Sequence, residues 1–414
     1  MEFGLIGKKL GHSYSPMIHA RLADYRYELI EIAPDALASF LRARDFKGLN
    51  VTIPYKRDVM PFCDELSDAA RQAGCVNTLL VRPDGTLYGH NTDIGGFTRM
   101  LQRAGIDPKG RKCAVLGSGG TSLTARTALA RMGAGAVVVI SRSGPVDYEA
   151  LYRDHADAEI IVNTTPVGMY PNNGQSAVEL SRFAHLRGVA DVVYNPEKTK
   201  LILDAESLGI PAVSGLSMLV AQAREAAEVF TGSAIDPSAE DAILAEIRAQ
   251  TLNLVLIGMP GCGKTTLGER AARLMNREII NCDEEIVRRA GMPIPQIFAG
   301  QGEATFRELE RDVIADLSRG SGKIIATGGG AILRADNVRA LRQNGRVCFL
   351  RRPLALLPTE GRPLSQASDD AVARLWAQRR DLYAAAADYT VDNDTDEETA
   401  ARAVVEGFYE AAHH

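Results

Sequence analysis

Short runs of valine, isoleucine and leucine recur along the chain, and longer Ala-rich stretches with apolar residues at helical spacing separate them. Residues 112–116, 136–140, 159–162 and 189–193 are short Val/Ile-rich segments of strand length and read as buried strands. Their alternation with helical segments predicts a parallel α/β architecture. A second series opens abruptly at Leu252-Asn253-Leu254-Val255-Leu256-Ile257, after a polar, Pro-containing connection over 232–237 and a helix expected over 238–249. A domain boundary is therefore expected near Gln250-Thr251. No tandem repeat or low-complexity tract interrupts either series.

With 414 residues, 46% of them hydrophobic, the chain is long enough for roughly three domains with their own cores. The 47 Lys+Arg against 52 Asp+Glu leave a net charge of −5, without the basic excess of a nucleic-acid footprint, so small-molecule partners are expected. No apolar run approaches the ~20 residues that span a bilayer, and Met1-Glu2-Phe3 does not begin a signal core. A cytoplasmic protein with no membrane or nucleic-acid partner is the expectation. The six cysteines form no C-x-x-C pair and are expected to be free thiols, mostly buried. Composition does not distinguish a monomer from a homo-oligomer.

After the strand ending at Ile257 comes Gly258-Met259-Pro260-Gly261-Cys262-Gly263-Lys264-Thr265, which fits G-x-x-x-x-G-K-[ST] and leads into a helical pattern. Such a loop wraps phosphates with backbone N–H groups, its lysine reaches the terminal phosphates, and its hydroxyl ligates magnesium. The expected ATP site is Gly258, Gly261, Cys262, Gly263, Lys264, Thr265 and Thr266, with Mg2+ on Thr265. Further along stand Asp283, read as closing the next strand, Arg307 in Gly302-Glu303-Ala304-Thr305-Phe306-Arg307-Glu308-Leu309-Glu310, and Gly328-Gly329-Gly330 after a strand over 323–326. Arg362 in Gly361-Arg362-Pro363-Leu364 and Arg379, four residues before Tyr383, complete the set.

Together these motifs resemble shikimate kinase over essentially all of 252–410. The resemblance implies that Asp283 contacts the substrate hydroxyls and accepts the proton, while Arg307, Arg379 and the Gly328, Gly329 and Gly330 backbone hold the ring and carboxylate. It also implies that Arg362 arrives on a closing lid to neutralise the transferring phosphoryl group. Two positions depart from the family. Asn281 stands where an aspartate usually supports the magnesium shell, so weaker magnesium affinity is expected, and Pro358-Thr359-Glu360 makes a short lid before Gly361-Arg362.

In the first hundred residues, polar groups cluster in Ser13-Tyr14-Ser15-Pro16, Asn50-Val51-Thr52-Ile53-Pro54-Tyr55-Lys56, Gly74-Cys75-Val76-Asn77-Thr78 and Asn91-Thr92-Asp93. Loops after strands are where open α/β sheets bind ligands. With Asn163-Thr164-Thr165-Pro166-Val167-Gly168-Met169, Tyr194-Asn195-Pro196 and Gly215-Leu216-Ser217-Met218-Leu219-Val220-Ala221-Gln222-Ala223, these segments resemble shikimate dehydrogenase across about 1–250. The resemblance implies that Ser13, Ser15, Asn50, Thr52, Asn77, Tyr194 and Gln222 bind the substrate, that Lys56 and Asp93 form the catalytic pair, and that Met169 and Gly215 meet the cofactor.

Gly117-Ser118-Gly119-Gly120-Thr121-Ser122 follows the strand over 112–116 and opens a helix as a dinucleotide turn does, with Ser122 in place of the last glycine of G-x-G-x-x-G. Gly117, Gly119 and Gly120 are the expected contacts. The next strand ends in Ser141-Arg142 rather than an acid, which favours NADP(H) over NAD.

The expected fold is therefore α/β in three parts. A shikimate-binding α/β domain over 1–100, completed by helices in 214–250, is followed by a Rossmann NADP domain over 101–213. A P-loop, nucleoside-monophosphate-kinase-like parallel α/β domain covers 252–414. The function expected is reduction of 3-dehydroshikimate with NADPH and phosphorylation of shikimate with ATP. Two other readings stand beside it: a non-catalytic sensor or repressor built on the same domains, and a quinate/shikimate dehydrogenase using NAD.

Overall fold

Sixteen short strands carry the buried apolar runs of the described residues, and they assemble into three separate sheets. The computed structural model describes residues 2–11, 13–357 and 369–413. Within it the chain divides into two units, Met1–Leu244 and Ala245–His414.

The first unit contains two sheets. One is built from β1 (Phe3–Gly7), β2 (Tyr27–Glu31), β3 (Gly48–Val51), β4 (Glu65–Leu66), β5 (Thr78–Val81) and β6 (Leu87–His90), in the order β2-β1-β3-β5-β6-β4. This sheet is mixed, unlike the parallel arrangement expected of the strands over 112–193, because β5 runs antiparallel to both β3 and β6. The cause is local. Arg82-Pro83-Asp84-Gly85-Thr86 closes a hairpin in which Asp84 Oδ1 accepts from the Thr86 N–H at 2.9 Å, and so short a connection joins only antiparallel neighbours.

The second sheet comprises β7 (Lys112–Leu116), β8 (Ala136–Ile140), β9 (Ile160–Asn163), β10 (Gly188–Asp191) and β11 (Ala212–Ser214), all parallel, in the order β11-β10-β9-β7-β8. Alternate residues of β7 enter different cores: Cys113 and Val115 join one cluster, Ala114 and Leu116 another. Two covered faces explain why Cys113 to Leu116 read as an unbroken apolar run. The helix Leu216–Thr231 packs on Asp93–Arg103 at very short range. A Cβ at Gly96 would stand 2.8 Å from Gln222 Cβ, so glycine there is what brings Gln222 to the site.

The second unit has one parallel sheet, from β12 (Asn253–Ile257), β13 (Ile279–Asn281), β14 (Ile324–Ala326), β15 (Gly345–Arg351) and β16 (Tyr389–Asp392), ordered β13-β14-β12-β15-β16. The connections diverge at the end of β12, which opens a crevice beyond the carboxyl ends of the strands. Asp283 does not close a strand, as the sequence reading expected. β13 stops at Asn281, whose Oδ1 accepts the Asp283 N–H at 3.0 Å and caps the helix Cys282–Ala290. The helix Ile294–Ser318 is broken at Gly302, where φ is +83°, so the turn carrying Arg307 starts afresh beside the crevice. Among the described residues, no helix is long and apolar enough to cross a membrane.

Candidate active sites

In the first unit the loops after β3 and β6 bring Lys56 and Asp93 together across 37 residues of sequence, with Nζ 2.6 Å from Asp93 Oδ2. Asp93 is the first residue of the helix Asp93–Arg103 and is largely buried, while Lys56 keeps partial access to solvent. The pair is therefore a fixed ammonium with an open side.

Around it the predicted amides form one network. Asn77 Nδ2 donates to Thr92 Oγ1 at 3.0 Å, and the Thr92 N–H donates to Asn77 Oδ1 at 2.8 Å. Gln222 Oε1 lies 3.3 Å from Thr92 Oγ1. Asn50 Oδ1 accepts from the Tyr27 hydroxyl at 2.7 Å, and Tyr27 stacks on His19 with centroids 3.9 Å apart. Burial pushes His19 down to about 3, so it serves as a neutral wall. Ser13 Oγ donates to Ser15 Oγ at 3.1 Å, at the start of the helix Ser15–Leu22. Thr52 covers Gly7 with its methyl group, and Tyr194 faces Tyr14 with ring centroids 6.2 Å apart. Tyr194 and Met169 remain substantially exposed.

The dinucleotide turn has the room that a pyrophosphate requires. Gly117 adopts φ +107° against Thr164, and an added Cβ at Gly119 or Gly120 would meet nothing within 4 Å. No side chain caps the helix Gly120–Arg131, so its first N–H groups face the opening. At the end of β8, Ser141 is buried and Arg142 exposed. Gly215 packs on the Val192 carbonyl, too closely for any side chain.

Asp191 is a residue that sequence reasoning missed. It is fully buried and accepts from Thr199 Oγ1 at 2.6 Å, from Asn163 Nδ2 at 2.9 Å and from the Val193 N–H at 3.0 Å. It thus ties the segment carrying Met169 to the one carrying Tyr194. Burial pushes its carboxyl up to about 6.

In the second unit a cavity of about 830 Å³ unites the phosphate loop with Asn281, Asp283, Arg307, Glu310, Gly328, Gly329, Gly330 and Arg379. Lys264 Nζ is folded back onto the carbonyls of Gly258 and Met259, at 2.9 Å each. Cys262 lies buried beneath the loop and its carbonyl accepts from Asn393 Nδ2 at 2.7 Å; Asn393, 131 residues away, has no sequence signal. Thr265 and Thr266 are exposed at the helix start. Asn281 Nδ2 lies 3.3 Å from both Thr265 Oγ1 and Glu284 Oε1.

Arg307 donates to Glu310 Oε2 at 2.8 Å, and Arg379 donates to the Gly329 carbonyl at 3.2 Å. Glycine is required along 328–330: a Cβ at Gly328 would stand 2.8 Å from Asp283 Oδ1, and one at Gly330 would collide with the Arg307 guanidinium. Burial raises Asp283 above the usual carboxylate range, against the lowering effect of Lys264 and Arg307. Burial likewise raises Glu310, which sequence reasoning missed. Arg362 lies outside the described residues, as does the short lid.

These two sites define a dinucleotide-type reductase followed by a P-loop phosphotransferase. Residues 5–79 match the family model described as the shikimate dehydrogenase substrate binding domain, and residues 260–409 match the model described as shikimate kinase. The chain is 37% identical over 272 residues to the shikimate dehydrogenase (NADP(+)) of Clostridium perfringens strain SM101, covering 60% of this chain and 98% of the relative. Among solved structures it resembles a chorismate mutase/shikimate 5-dehydrogenase fusion from Clostridium acetobutylicum at 35% identity and a TM-score of 0.56, over 58% of this chain and 95% of that one. It also resembles the shikimate 5-dehydrogenase of Thermus thermophilus, solved with NADP(H) and shikimate, at 30% identity and a TM-score of 0.53, over 59% and 98% of the two chains. The chain belongs to the shikimate dehydrogenase family and carries a shikimate kinase domain after it. It is a bifunctional shikimate-pathway enzyme.

Proposed function

We propose that the first unit reduces 3-dehydroshikimate to shikimate with NADPH and that the second converts shikimate to shikimate 3-phosphate with ATP. The contact that carries the reductase assignment is the 2.6 Å pair of Lys56 and Asp93 beside the amide network. When bound, NADPH supplies the hydride. Lys56 donates a hydrogen bond to the ketone oxygen, stabilises the negative charge that develops there and gives that oxygen its proton. Asp93 keeps the ammonium aimed. Ser13, Ser15, Asn50, Thr52, Asn77, Tyr194 and Gln222 hold the carboxylate and ring hydroxyls. Gly117, Gly119, Gly120, Met169 and Gly215 border the cofactor, and Ser141 and Arg142 favour its extra phosphate.

In the kinase, Lys264 leaves the two loop carbonyls for the terminal phosphates of ATP, whose oxygens are stronger acceptors. Asp283 orients the substrate hydroxyl and accepts its proton, and its raised affinity for protons suits that role. Arg307 and Arg379 grip the carboxylate as planar two-donor groups beside the Gly328, Gly329 and Gly330 backbone. Thr265 and the Asn281 region offer oxygen groups that fit a hard cation, and Mg2+ there would neutralise phosphate charge. Arg362 retains the lid role that the family resemblance implies. Small molecules are thus the partners, in the cytoplasm.

Two assays on the full chain test this reading. Shikimate oxidation should proceed faster with NADP than with NAD, and ADP release from ATP should require shikimate. ADP release that is indifferent to shikimate, or no oxidation with either nucleotide, overturns it.

A further inference from the structure

Three buried polar atoms that line the kinase cavity have no hydrogen-bond partner: Glu310 Oε1, Arg379 Nε and Arg352 Nε. The first two belong to the group gathered around Gly329 and Gly330. Arg352 does not, and no role has so far been assigned to it. β15 ends at Arg351, whose guanidinium is held outside by Asp392 of β16 at 2.5 and 2.7 Å. Extended backbone sends the next side chain to the opposite side. Arg352 accordingly turns into the cavity, and among the described residues no carboxylate pairs with it. A cation facing a cavity without a counter-charge is costly until an anion arrives.

Strand order says which anion. The Gly328, Gly329 and Gly330 segment follows β14, the phosphate loop follows β12, and Arg352 follows β15, in a sheet ordered β14-β12-β15. Arg352 and Gly328–Gly330 therefore emerge from strands on opposite sides of β12, the strand that leads into the loop. A Cβ at Gly258 would stand 2.5 Å from the Leu350 carbonyl, so the chain leading to Arg352 touches the first glycine of that loop. We propose that Arg352 binds the terminal phosphates of the nucleotide from a fixed position on the sheet. It complements Lys264 and does not depend on closure of a lid. This rests on the reading of the loop as the ATP site.

The test titrates full-length wild type, Arg352→Gln and Arg352→Lys calorimetrically, in Mg2+, with a non-hydrolysable ATP analogue, with AMP and with shikimate. Removing one charge-assisted partner should weaken the analogue about tenfold or more in Arg352→Gln. Arg352→Lys should lie between that and wild type, while AMP loses less and shikimate affinity is kept. Unchanged affinity of Arg352→Gln for the analogue overturns the proposal. So does selective loss of shikimate, which would place Arg352 in the acid site, and so does loss of every ligand in both variants, which would make it structural. If wild type itself fails to bind the analogue, the ATP reading falls as well.

Discussion

Replacing Lys56 with alanine separates the chemistry of the first unit from its stability and from the second enzyme. The ammonium lies 2.6 Å from Asp93 Oδ2 and is the charged donor assigned to the developing alkoxide. Deleting one preorganised donor of this kind costs on the order of 10²- to 10³-fold in kcat, about 3 to 4 kcal/mol. The cost to folding should be smaller. Asp93 is left without its cation but sits in the first turn of a helix, whose N–H groups favour a carboxylate, and the lysine is 31% exposed, so screening limits the loss to about 1 kcal/mol. NADPH consumption with 3-dehydroshikimate should thus collapse, whereas thermal unfolding should shift little.

Shikimate-dependent ADP release from the same Lys56→Ala sample should stay near wild type, because Lys264 and its cavity belong to the other unit. Lys264→Ala should show the reverse pattern. Mixing the two variants with 3-dehydroshikimate, NADPH and ATP should restore shikimate phosphate, since the intermediate is small and diffuses freely. Reduction by Lys56→Ala within tenfold of wild type would refute its role. A mixture that stays inactive, although each surviving site passes its own assay, would refute independence.

Arg142→Asp should move the dehydrogenase towards NAD, because a carboxylate repels the 2′-phosphate and accepts hydrogen bonds from the ribose diol; the ratio of NADP to NAD turnover checks it. Asn281→Asp should keep the cap on the Asp283 N–H and turn a carboxylate oxygen towards Thr265. The magnesium concentration for half-maximal kinase rate should then fall by on the order of a few-fold. Asp191 binds its proton more tightly in the folded protein, with its carboxyl pushed from 3.8 up to about 6. Its stabilising contribution is therefore complete below about pH 4 and lost as pH rises through 6. Asp191→Asn cannot lose it, so unfolding of the variant relative to wild type should shift in the variant's favour between those values, by on the order of 2 to 3 kcal/mol. Parallel pH profiles for the two proteins would refute the account.

What the chain order alone determined is whatever depends on neighbours a few residues apart. The phosphate loop, the dinucleotide turn and the two-face strands are contiguous, so their period and glycine spacing carry the physics directly. The hairpin at Pro83-Asp84-Gly85 is equally local, yet its flanking strands Thr78–Val81 and Leu87–His90 are too short to carry a clear apolar period. Likewise, Asp283 opens a helix instead of closing a strand because the Asn281 side chain caps it, a competition between backbone and side chain that apolar periodicity does not register.

Tertiary structure alone decided the rest. Asn393 supports the carbonyl of Cys262, Glu310 holds Arg307 beside Gly330, and Asp191 joins Asn163 to Thr199. Each of these is an ordinary polar residue on its own. Only the strand order, which sets separate segments side by side at the carboxyl ends of a sheet, removes water from it and gives it a partner. Arg352 is the extreme instance: beside Arg351 it reads as one of a pair of surface charges, and the alternation of a single strand end turns one outward to Asp392 and the other inward to the cavity that the phosphate loop lines.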